Sequence, residues 1–333
     1  MKFTIAIPSI TIGFIISLLL SIGVHAAPAS KNVLSYSQRH MIWLTSGHSN
    51  QSHPFAAANA TDLQWSPDGR WLAFINTVSN TLEMIDRDGH NRQLLTMRGF
   101  CDAATPAWSP DTTSIAFVCS RVIHDEKQQA LLRLSVATKK VSTIRPWTAH
   151  EAYRSPSWSP DSSKVVYEAL RTNSAQLVIS DWQSSTTRPL VALSDNTVIR
   201  QISWSPTGKK ILYNDSENEL YTIWTDGSHR STIADGDSYD GSWSPDGTNI
   251  VFVEDPTDSR LSISRSDGSI VYIPLAVPAG TLSTPEWSPD AQQIAFTING
   301  AKGGLFSIEL RTHTVTKLAS GPIDNFSWRP QKH

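Results

Sequence analysis

The chain has 333 residues, of which 17% are charged, and its formal net charge is −2. This balance gives no reason to expect nucleic acid or an anionic membrane surface as a partner. Length alone would suggest two domains, but the repeat described below predicts one.

The N-terminus predicts export. Lys2 is the first charged residue, and an apolar stretch from Ile10 to Val24 is followed by small residues up to Ala26. This pattern predicts a signal peptide over residues 1–26, cleaved after Ala26, and then a linker over residues 27–32. We therefore expect a periplasmic or extracellular protein. The alternative is an uncleaved, outward-facing membrane anchor, because about twenty uncharged residues could span a bilayer.

A short pattern, Trp followed by Ser-Pro-Asp-Gly or a near variant, occurs seven times along the chain. The copies begin at Trp65, Trp108, Trp158, Trp204, Trp243, Trp287 and Trp328. A spacing of 39 to 50 residues between copies is typical of a β-propeller.

Each repeat predicts four antiparallel strands. In the first repeat the strand-length apolar runs are Leu63–Trp65, Trp71–Ile75, Leu82–Ile85 and Arg92–Leu95. The turn residues Ser66–Gly69 and Asp86–Gly89 separate strands one and two, and strands three and four, as tight hairpins. One such sheet cannot bury both of its faces, so each repeat needs a neighbour on either side.

The last repeat is completed from the other end of the chain. The inner strand over residues 323–328 has no further strands after it, whereas Asn32–Ser37, Met41–His48 and Gln51–Phe55 match the missing three. We therefore predict an all-β propeller of seven four-stranded blades, closed by one C-terminal strand joining N-terminal strands. A six-bladed ring with a loose N-terminal segment is the alternative.

The registered copies resemble the Trp-Ser-Pro-Asp-Gly repeats in the propeller of the Tol biopolymer transport protein B family, which is related to WD-type repeats and to the propeller of prolyl oligopeptidases. The resemblance covers residues 33–330, which we expect to form a single propeller domain. The resemblance implies the propeller fold and a role in binding proteins or peptides. It does not imply a catalysed reaction.

The second repeat contains both cysteines, Cys101 and Cys119. Hairpin pairing brings them nearly opposite each other, so we predict a disulfide in an oxidising compartment. Two reduced, buried thiols are the alternative.

Antiparallel pairing places the regular turns on one face of the disc and the irregular connections on the other, where repeat proteins bind partners. The longest departures from the repeat are Ser120–Ala130 and Arg145–Arg154. The second lacks a strand pattern and is predicted as a contact surface. Its anchors would be Trp147, His150, Glu151 and Tyr153. The alternative is that Trp147 fills a gap between blades.

The inner strands should open onto a central channel. Four residues before each repeat tryptophan stand Thr61, Ala104, Arg154, Arg200, Tyr239, Ser283 and Asp324. One position later stand Asp62, Thr105, Ser155, Gln201, Asp240, Thr284 and Asn325. The hypothesis is a dipolar mouth in which Arg154 and Arg200 meet a partner carboxylate. Scattered charges that keep the face hydrated are the alternative.

Motifs for catalysis are not found: the sequence lacks Gly-x-Ser-x-Gly, His-Glu-x-x-His and Gly-x-x-x-x-Gly-Lys. His48 and His53 lack the spacing of zinc ligands, and we expect no metal or cofactor. The first functional hypothesis is a monomeric, non-enzymatic propeller that binds a protein, peptide or envelope component. The second is a polysaccharide lyase or hydrolase with its site in the channel mouth, using groups such as His150, Tyr239 or Arg200.

Overall fold

The computed structural model describes residues 32–96, 102–172, 174–193, 199, 201–234, 238–254, 260–267, 269, 275–278, 280–300 and 302–330. Within these ranges all regular elements are strands, arranged as seven four-stranded antiparallel sheets. The predicted signal peptide, Cys101 and Arg200 lie outside the described residues. None of the described residues belongs to an apolar helix of membrane-spanning length.

The first strands belong to the composite blade 7, and the next eight form blades 1 and 2. The N-terminal strands are β1 (Val33–Gln38), β2 (Met41–Ser46) and β3 (Ser52–Ala57). Blade 1 comprises β4 (Ala60–Trp65), β5 (Trp71–Asn76), β6 (Thr81–Asp86) and β7 (Gln93–Leu94). Blade 2 comprises β8 (Asp102–Trp108), β9 (Ser114–Ile123), β10 (Glu126–Ser135) and β11 (Val141–Thr148).

Blades 3 to 6 follow in chain order. Blade 3 comprises β12 (Ala152–Trp158), β13 (Lys164–Arg171), β14 (Ser174–Asp181) and β15 (Thr186–Leu193). Blade 4 comprises β16 (Gln201–Trp204), β17 (Lys210–Asn214), β18 (Leu220–Trp224) and β19 (Ser231–Ala234). Blade 5 comprises β20 (Ser238–Trp243), β21 (Asn249–Glu254), β22 (Arg260–Arg265) and β23 (Leu275–Ala276). Blade 6 comprises β24 (Thr281–Trp287), β25 (Gln293–Asn299), β26 (Gly304–Glu309) and β27 (Thr314–Ser320).

The ring is closed as predicted, by β28 (Asn325–Arg329) pairing with β1. The pairs run from Val33 opposite Arg329 to Ser37 opposite Asn325. The strand order β28-β1-β2-β3 makes a complete blade 7, so the six-bladed alternative is wrong.

Hydrogen bonds of the serine side chain hold the Ser-Pro-Asp turn. In blade 1 the Ser66 hydroxyl donates to Asp68 Oδ1 at 2.6 Å and accepts the Trp71 backbone N–H at 3.0 Å. Gly69 has a φ of 64°, the left-handed conformation that closes this bulged hairpin. The serine hydroxyl donates to the turn aspartate in the same way at Ser109, Ser159, Ser244 and Ser288. A repeated local interaction therefore fixes the register of strands one and two.

Two segments expected to be irregular are strands. In Ser120–Ala130, β9 continues to Ile123 and β10 begins at Glu126, joined by a two-residue turn at positive φ. In Arg145–Arg154, β11 runs to Thr148 and β12 begins at Ala152. The prediction of irregular conformation was wrong because positions at these strand ends are half-buried or exposed without regular alternation, so no apolar pattern marks them.

Of the two cysteines in the predicted disulfide, one lies within the described residues. Cys119 is fully buried in β9, where it stands opposite Ala103 of β8. Cys101 lies two residues before Ala103, outside the described residues. The bond therefore stays a prediction.

The repeat tryptophans join consecutive blades. In blades 2, 3, 5, 6 and 7 the indole Nε1 donates, at 2.9 to 3.2 Å, to the carbonyl of the residue just before the preceding blade's tryptophan. Trp158, for example, donates to the Ala107 carbonyl at 2.9 Å. Trp65 donates to the Ser35 hydroxyl of blade 7, whereas Trp204 turns to the Gly208 carbonyl of its own hairpin. Six of the seven rings thus fasten a blade to the one before it.

We expect Trp158→Phe to lower the free energy of unfolding by roughly 1–3 kcal/mol, because the buried Ala107 carbonyl loses its donor. The matched control is Trp224→Phe, whose ring is 41% exposed and which should change stability by no more than about 0.5 kcal/mol. Urea unfolding followed by fluorescence measures both. Equal effects of the two substitutions would show that the indole bond does not hold the blades together.

Candidate functional site

The two faces of the disc differ as predicted. We call the face with the Ser-Pro turns the turn face, and the face with the second-to-third-strand and blade-to-blade connections the loop face. The hairpin tip at His124, the end of β11 at Trp147 and the start of β20 at Tyr239 all lie on the loop face. The long β9–β10 hairpin and the first residues of the innermost strands therefore lie on the same face, the loop face.

Two grooves of 630 and 590 Å³ flank blade 4 on the turn face. In the larger groove Asp161 is held by its own turn, accepting from Ser159 and Ser163. Arg188 donates to the backbone carbonyls of Thr225 and Asp226. Because these charged groups already serve local structure, we place the candidate site on the loop face and in the channel.

The central channel contains an open cavity of 610 Å³, lined at the turn face by prolines of the Ser-Pro turns such as Pro67 and Pro110. Its wall includes the residue that precedes each repeat tryptophan: Gln64, Ala107, Ser157, Ser203, Ser242, Glu286 and Ser327. Several of these side chains accept the backbone N–H of the next blade's tryptophan, as Gln64 does from Trp108 at 3.0 Å. The wall is thus built from the same contacts that join the blades.

Glu286 is the ionisable member of this set. Water can reach it through the channel, but protein surrounds it, and burial raises the pKa of its carboxyl group to about 8. The backbone N–H of Trp328 donates to it and opposes this shift. At neutral pH the carboxyl group is therefore mostly protonated.

Several of the acidic and polar residues predicted at the channel have a structural role in joining the blades. Residues three before the tryptophan have a positive φ in five blades and form bulges there: Asp62, Thr105, Ser155, Asp240 and Thr284. Asp240 Oδ2 accepts the backbone N–H of Thr284 in the next blade at 2.9 Å. Asp62 is linked to the Thr105 backbone in the same way, although burial raises the pKa of its carboxyl group. These aspartates fasten adjacent bulges to each other.

The predicted contact segment holds an ion-pair cluster. Glu151 accepts from Arg171 Nε at 2.6 Å and from the Tyr153 hydroxyl at 3.0 Å, and Arg145 Nη2 lies 3.6 Å away. Burial raises the pKa of Glu151, but the arginines and the hydroxyl group outweigh it, so the net shift is downward. Tyr153 is only 1% exposed, and burial together with its bond to Glu151 raises its pKa to about 12. Tyr153 therefore orients Glu151 from inside.

The other two predicted anchors differ in exposure. Trp147 is half-buried and packs on the core between blades 1 and 2, with the Arg121 guanidinium 3.8 Å from its ring centroid. This is the packing position that the sequence left open as an alternative. His150 is exposed, and its backbone N–H donates to the Thr148 hydroxyl at 3.0 Å.

At the channel mouth, Arg154 and Asp324 are exposed. Arg154 stands opposite Glu168 in the pairing of β12 with β13. Glu168 is fully buried; burial raises its pKa to about 7, while the Ile199 backbone N–H and the Arg154 charge oppose the shift. For Tyr239 the structure gives the strand position, opposite Val253. Arg200 lies outside the described residues, so its predicted place beside Arg154 stays a prediction.

Sequence reasoning missed three polar residues of the interior: Glu168 and Asn214, which are buried, and Glu286, which lines the channel. Glu168 and Asn214 occupy the position ten residues after the repeat tryptophan, which is Ile75, Val118 and Val253 in blades 1, 2 and 5. Comparing the repeats position by position would have marked all three as departures. In the described part of the chain, no three His, Cys, Asp or Glu side chains are grouped to hold a metal ion.

The fold and its inter-blade contacts define a seven-bladed β-propeller with Trp-Ser-Pro repeats. A family model for the TolB beta propeller domain matches residues 75–271. This chain belongs to that family.

Individual proteins are similar to this chain in sequence or in structure. An uncharacterized protein of Agrobacterium fabrum is 25% identical over 264 residues, covering 70% of this chain and 82% of the relative. The structure of TolB from Acinetobacter baumannii is 16% identical with a TM-score of 0.56, covering 90% of this chain and 67% of that one. An oligogalacturonate lyase in complex with manganese is 13% identical with a TM-score of 0.65, covering 86% and 83%. At these identities the two structures show a shared fold, used by a Tol protein and by an enzyme.

Glu286→Gln should flatten the pH dependence of the melting temperature. The folded carboxyl group has a pKa of about 8, and the unfolded one about 4.3. The folded state therefore retains the proton, and this group's contribution to stability is lost as pH rises from about 4 to about 8. Glutamine does not titrate, and Gln64 already accepts the equivalent N–H in blade 1.

The reciprocal variant Gln64→Glu should introduce a similar loss of stability with rising pH, because it places a carboxyl group at the equivalent position of the channel. Parallel melting profiles for wild type and Glu286→Gln between pH 4 and about 9 would contradict the assignment.

Proposed function

We propose that this protein is an exported, non-enzymatic propeller that binds a protein or peptide segment at the loop face and channel mouth. The observation that carries the proposal is that Arg154 is exposed and has no ion-pair partner among the described residues. It is exposed at the mouth, and no carboxylate of the described residues lies within 4 Å of it. A partner carboxylate would give this guanidinium the bidentate contact that it lacks.

The setting of Arg154 supports this role. Glu168, the acidic residue opposite it, is fully buried and has a pKa of about 7, so it carries only part of a negative charge at neutral pH. The Arg154 charge is therefore not fully neutralised from within the protein. If Arg200 stands at the equivalent position of blade 4, as its repeat position predicts, two guanidinium groups face the mouth side by side.

The rest of the predicted surface supports recognition. Glu151 is held by two arginines and Tyr153, so its geometry is set before a partner arrives. Exposed His150 follows the end of β11, and the β9–β10 hairpin beside it carries exposed Val122 and Ile123. Rigid polar groups beside apolar side chains are typical of a binding surface.

Affinity capture from the native envelope fraction tests the proposal. Arg154→Ala combined with Arg200→Ala should reduce retention of the captured partner severalfold, because the carboxylate contact is lost. The matched control is Arg188→Ala on the turn face, where retention should be unchanged. Undiminished retention by the double variant would sink the proposed arginine contact. A bound oligosaccharide that the wild-type protein cleaves would instead support a lyase or hydrolase.

The intact mass of the exported protein tests its compartment. We expect a chain beginning at Ala27, with a mass two hydrogens below that of the reduced chain because Cys101 and Cys119 are joined. Treatment with a reductant should restore those two hydrogens. A mature protein that retains residues 1–26 would favour the membrane anchor, and a mass unchanged by reductant would remove the disulfide.

A further inference from the structure

The groove between blades 4 and 5 on the turn face carries an excess of positive charge. It is the smaller of the two grooves that flank blade 4, with a volume of 590 Å³. Three cations and one carboxylate line it: Lys209, Lys210, Arg265 and Asp267. The larger groove, between blades 3 and 4, has two of each sign: Asp161, Asp181, Lys164 and Arg188. Equivalent turns form both grooves, so the excess charge is particular to the smaller one.

Two of these four charged groups are used by the protein itself. Lys210 Nζ donates to the Ser266 carbonyl of blade 5, and burial lowers the pKa of its ammonium group. Asp267 caps its own turn. By contrast, Lys209 and Arg265 are exposed, and no carboxylate of the described residues lies within 4 Å of either. Two cations therefore remain for a ligand.

The ends of the third strands depart from the repeat at this groove. Trp224 ends the third strand of blade 4, and Arg265 ends that of blade 5. The equivalent residues of blades 1, 3 and 6 are acidic: Asp86, Asp181 and Glu309. The first two of these accept backbone N–H groups of their own turns. In blades 4 and 5 Asp226 and Asp267, two residues later, do so instead, which leaves Trp224 and Arg265 without that role.

Trp224 supplies apolar surface to the groove. It is 41% exposed, and its ring lies 5.5 Å from that of His229, at an angle of 47°. The buried ring of Trp243 also lines the groove. Hydroxyl and amide side chains complete the lining at Thr207, Thr248 and Asn249. An exposed indole thus stands beside polar groups and two unpaired cations.

The backbone of the groove offers little to a ligand. Several lining residues already donate their N–H groups within the protein: Lys210, Trp224, Gly247, Thr248, Asn249 and Ser266. Phosphate sites commonly use unpaired backbone N–H groups, and an extended peptide bound along a sheet edge needs backbone partners. The groove therefore favours a ligand recognised through side chains. A carboxylate matches the planar fork of a guanidinium group, and the apolar face of a sugar ring matches an exposed indole.

We propose that the groove between blades 4 and 5 on the turn face binds an acidic sugar, with Arg265 and Lys209 meeting its carboxylate and Trp224 packing on its ring. The volume of 590 Å³ falls within the roughly 300 to 1,000 Å³ of small-ligand sites. The site lies on the face opposite to the proposed partner surface and does not depend on it.

The probes are methyl β-D-glucuronide, which carries a carboxylate, and methyl β-D-glucoside, its neutral counterpart. In isothermal titration calorimetry at low salt, the wild-type protein should bind the glucuronide at least about tenfold more tightly, because only this probe meets the cations. Added salt should narrow the difference. Equal affinity for both probes, or binding of neither, would overturn the proposal.

Arg265→Gln should weaken the glucuronide about tenfold and leave the glucoside unaffected, because it removes the charge and keeps a polar side chain. The matched control is Arg188→Gln in the larger groove, whose guanidinium already donates to two backbone carbonyls. This control should bind both probes like the wild type. Unaltered glucuronide affinity in Arg265→Gln would place the carboxylate elsewhere and overturn the proposal.

Trp224→Ala should weaken both probes severalfold and keep the ratio of their affinities, because the indole packs on the ring and not on the carboxylate. Wild-type affinity for both probes in this variant would rule out the sugar site.

A free sugar and a unit within a glycan present the same carboxylate. Tighter binding of a hyaluronan tetrasaccharide than of methyl β-D-glucuronide would identify a glycan as the source, and weaker binding a free sugar. Partner capture through Arg154 should be unchanged in Arg265→Gln, so the failure of either hypothesis leaves the other standing.

Discussion

The structure depends on the contact between one blade and the next. A four-stranded sheet with two apolar faces is stable only when both are covered, and here the repeat tryptophan makes this contact specific. Its indole N–H reaches the carbonyl just before the preceding blade's tryptophan in five blades, as from Trp158 to Ala107. The backbone N–H groups of several of these tryptophans bond to side chains at that same position. Blade contact and channel wall are therefore made by the same residues, so a change in the wall also changes how the blades are joined.

Blade 4 departs from this arrangement in several ways. The ring of Trp204 bonds to its own hairpin, and β16 pairs with β17 without the bulge found in five other blades. Its strand position equivalent to Ile75 is Asn214, which is buried and unpaired. Other blades also contain buried polar atoms without partners, such as Glu168 Oε2, but in blade 4 both polar atoms of one amide, Asn214, are left without a hydrogen bond.

The sequence predicted the fold almost completely. Seven blades, two hairpins in each repeat, and closure by β28 beside β1 all follow from turn residues and strand-length apolar runs, which act over a few neighbouring residues. Irregular structure in Ser120–Ala130 was predicted wrongly, because exposed polar strands lack the apolar alternation that reveals them. For the candidate site, the sequence identified Glu151 and Arg154 as charged residues of the loop face. It did not reveal that Tyr153 is buried behind Glu151.

The amino-acid sequence by itself determined the repeat, the register of the hairpins and the face on which irregular connections collect, because each is set by local geometry. Only the tertiary structure decided the state of individual polar groups. Glu286 keeps its proton at neutral pH because the ring surrounds it, burial raises the pKa of Glu168 to about 7, and the buried amide group of Asn214 has no hydrogen-bond partner. Desolvation and unmet hydrogen bonds depend on neighbours that are distant in the chain, so they become visible only when the blades stand side by side.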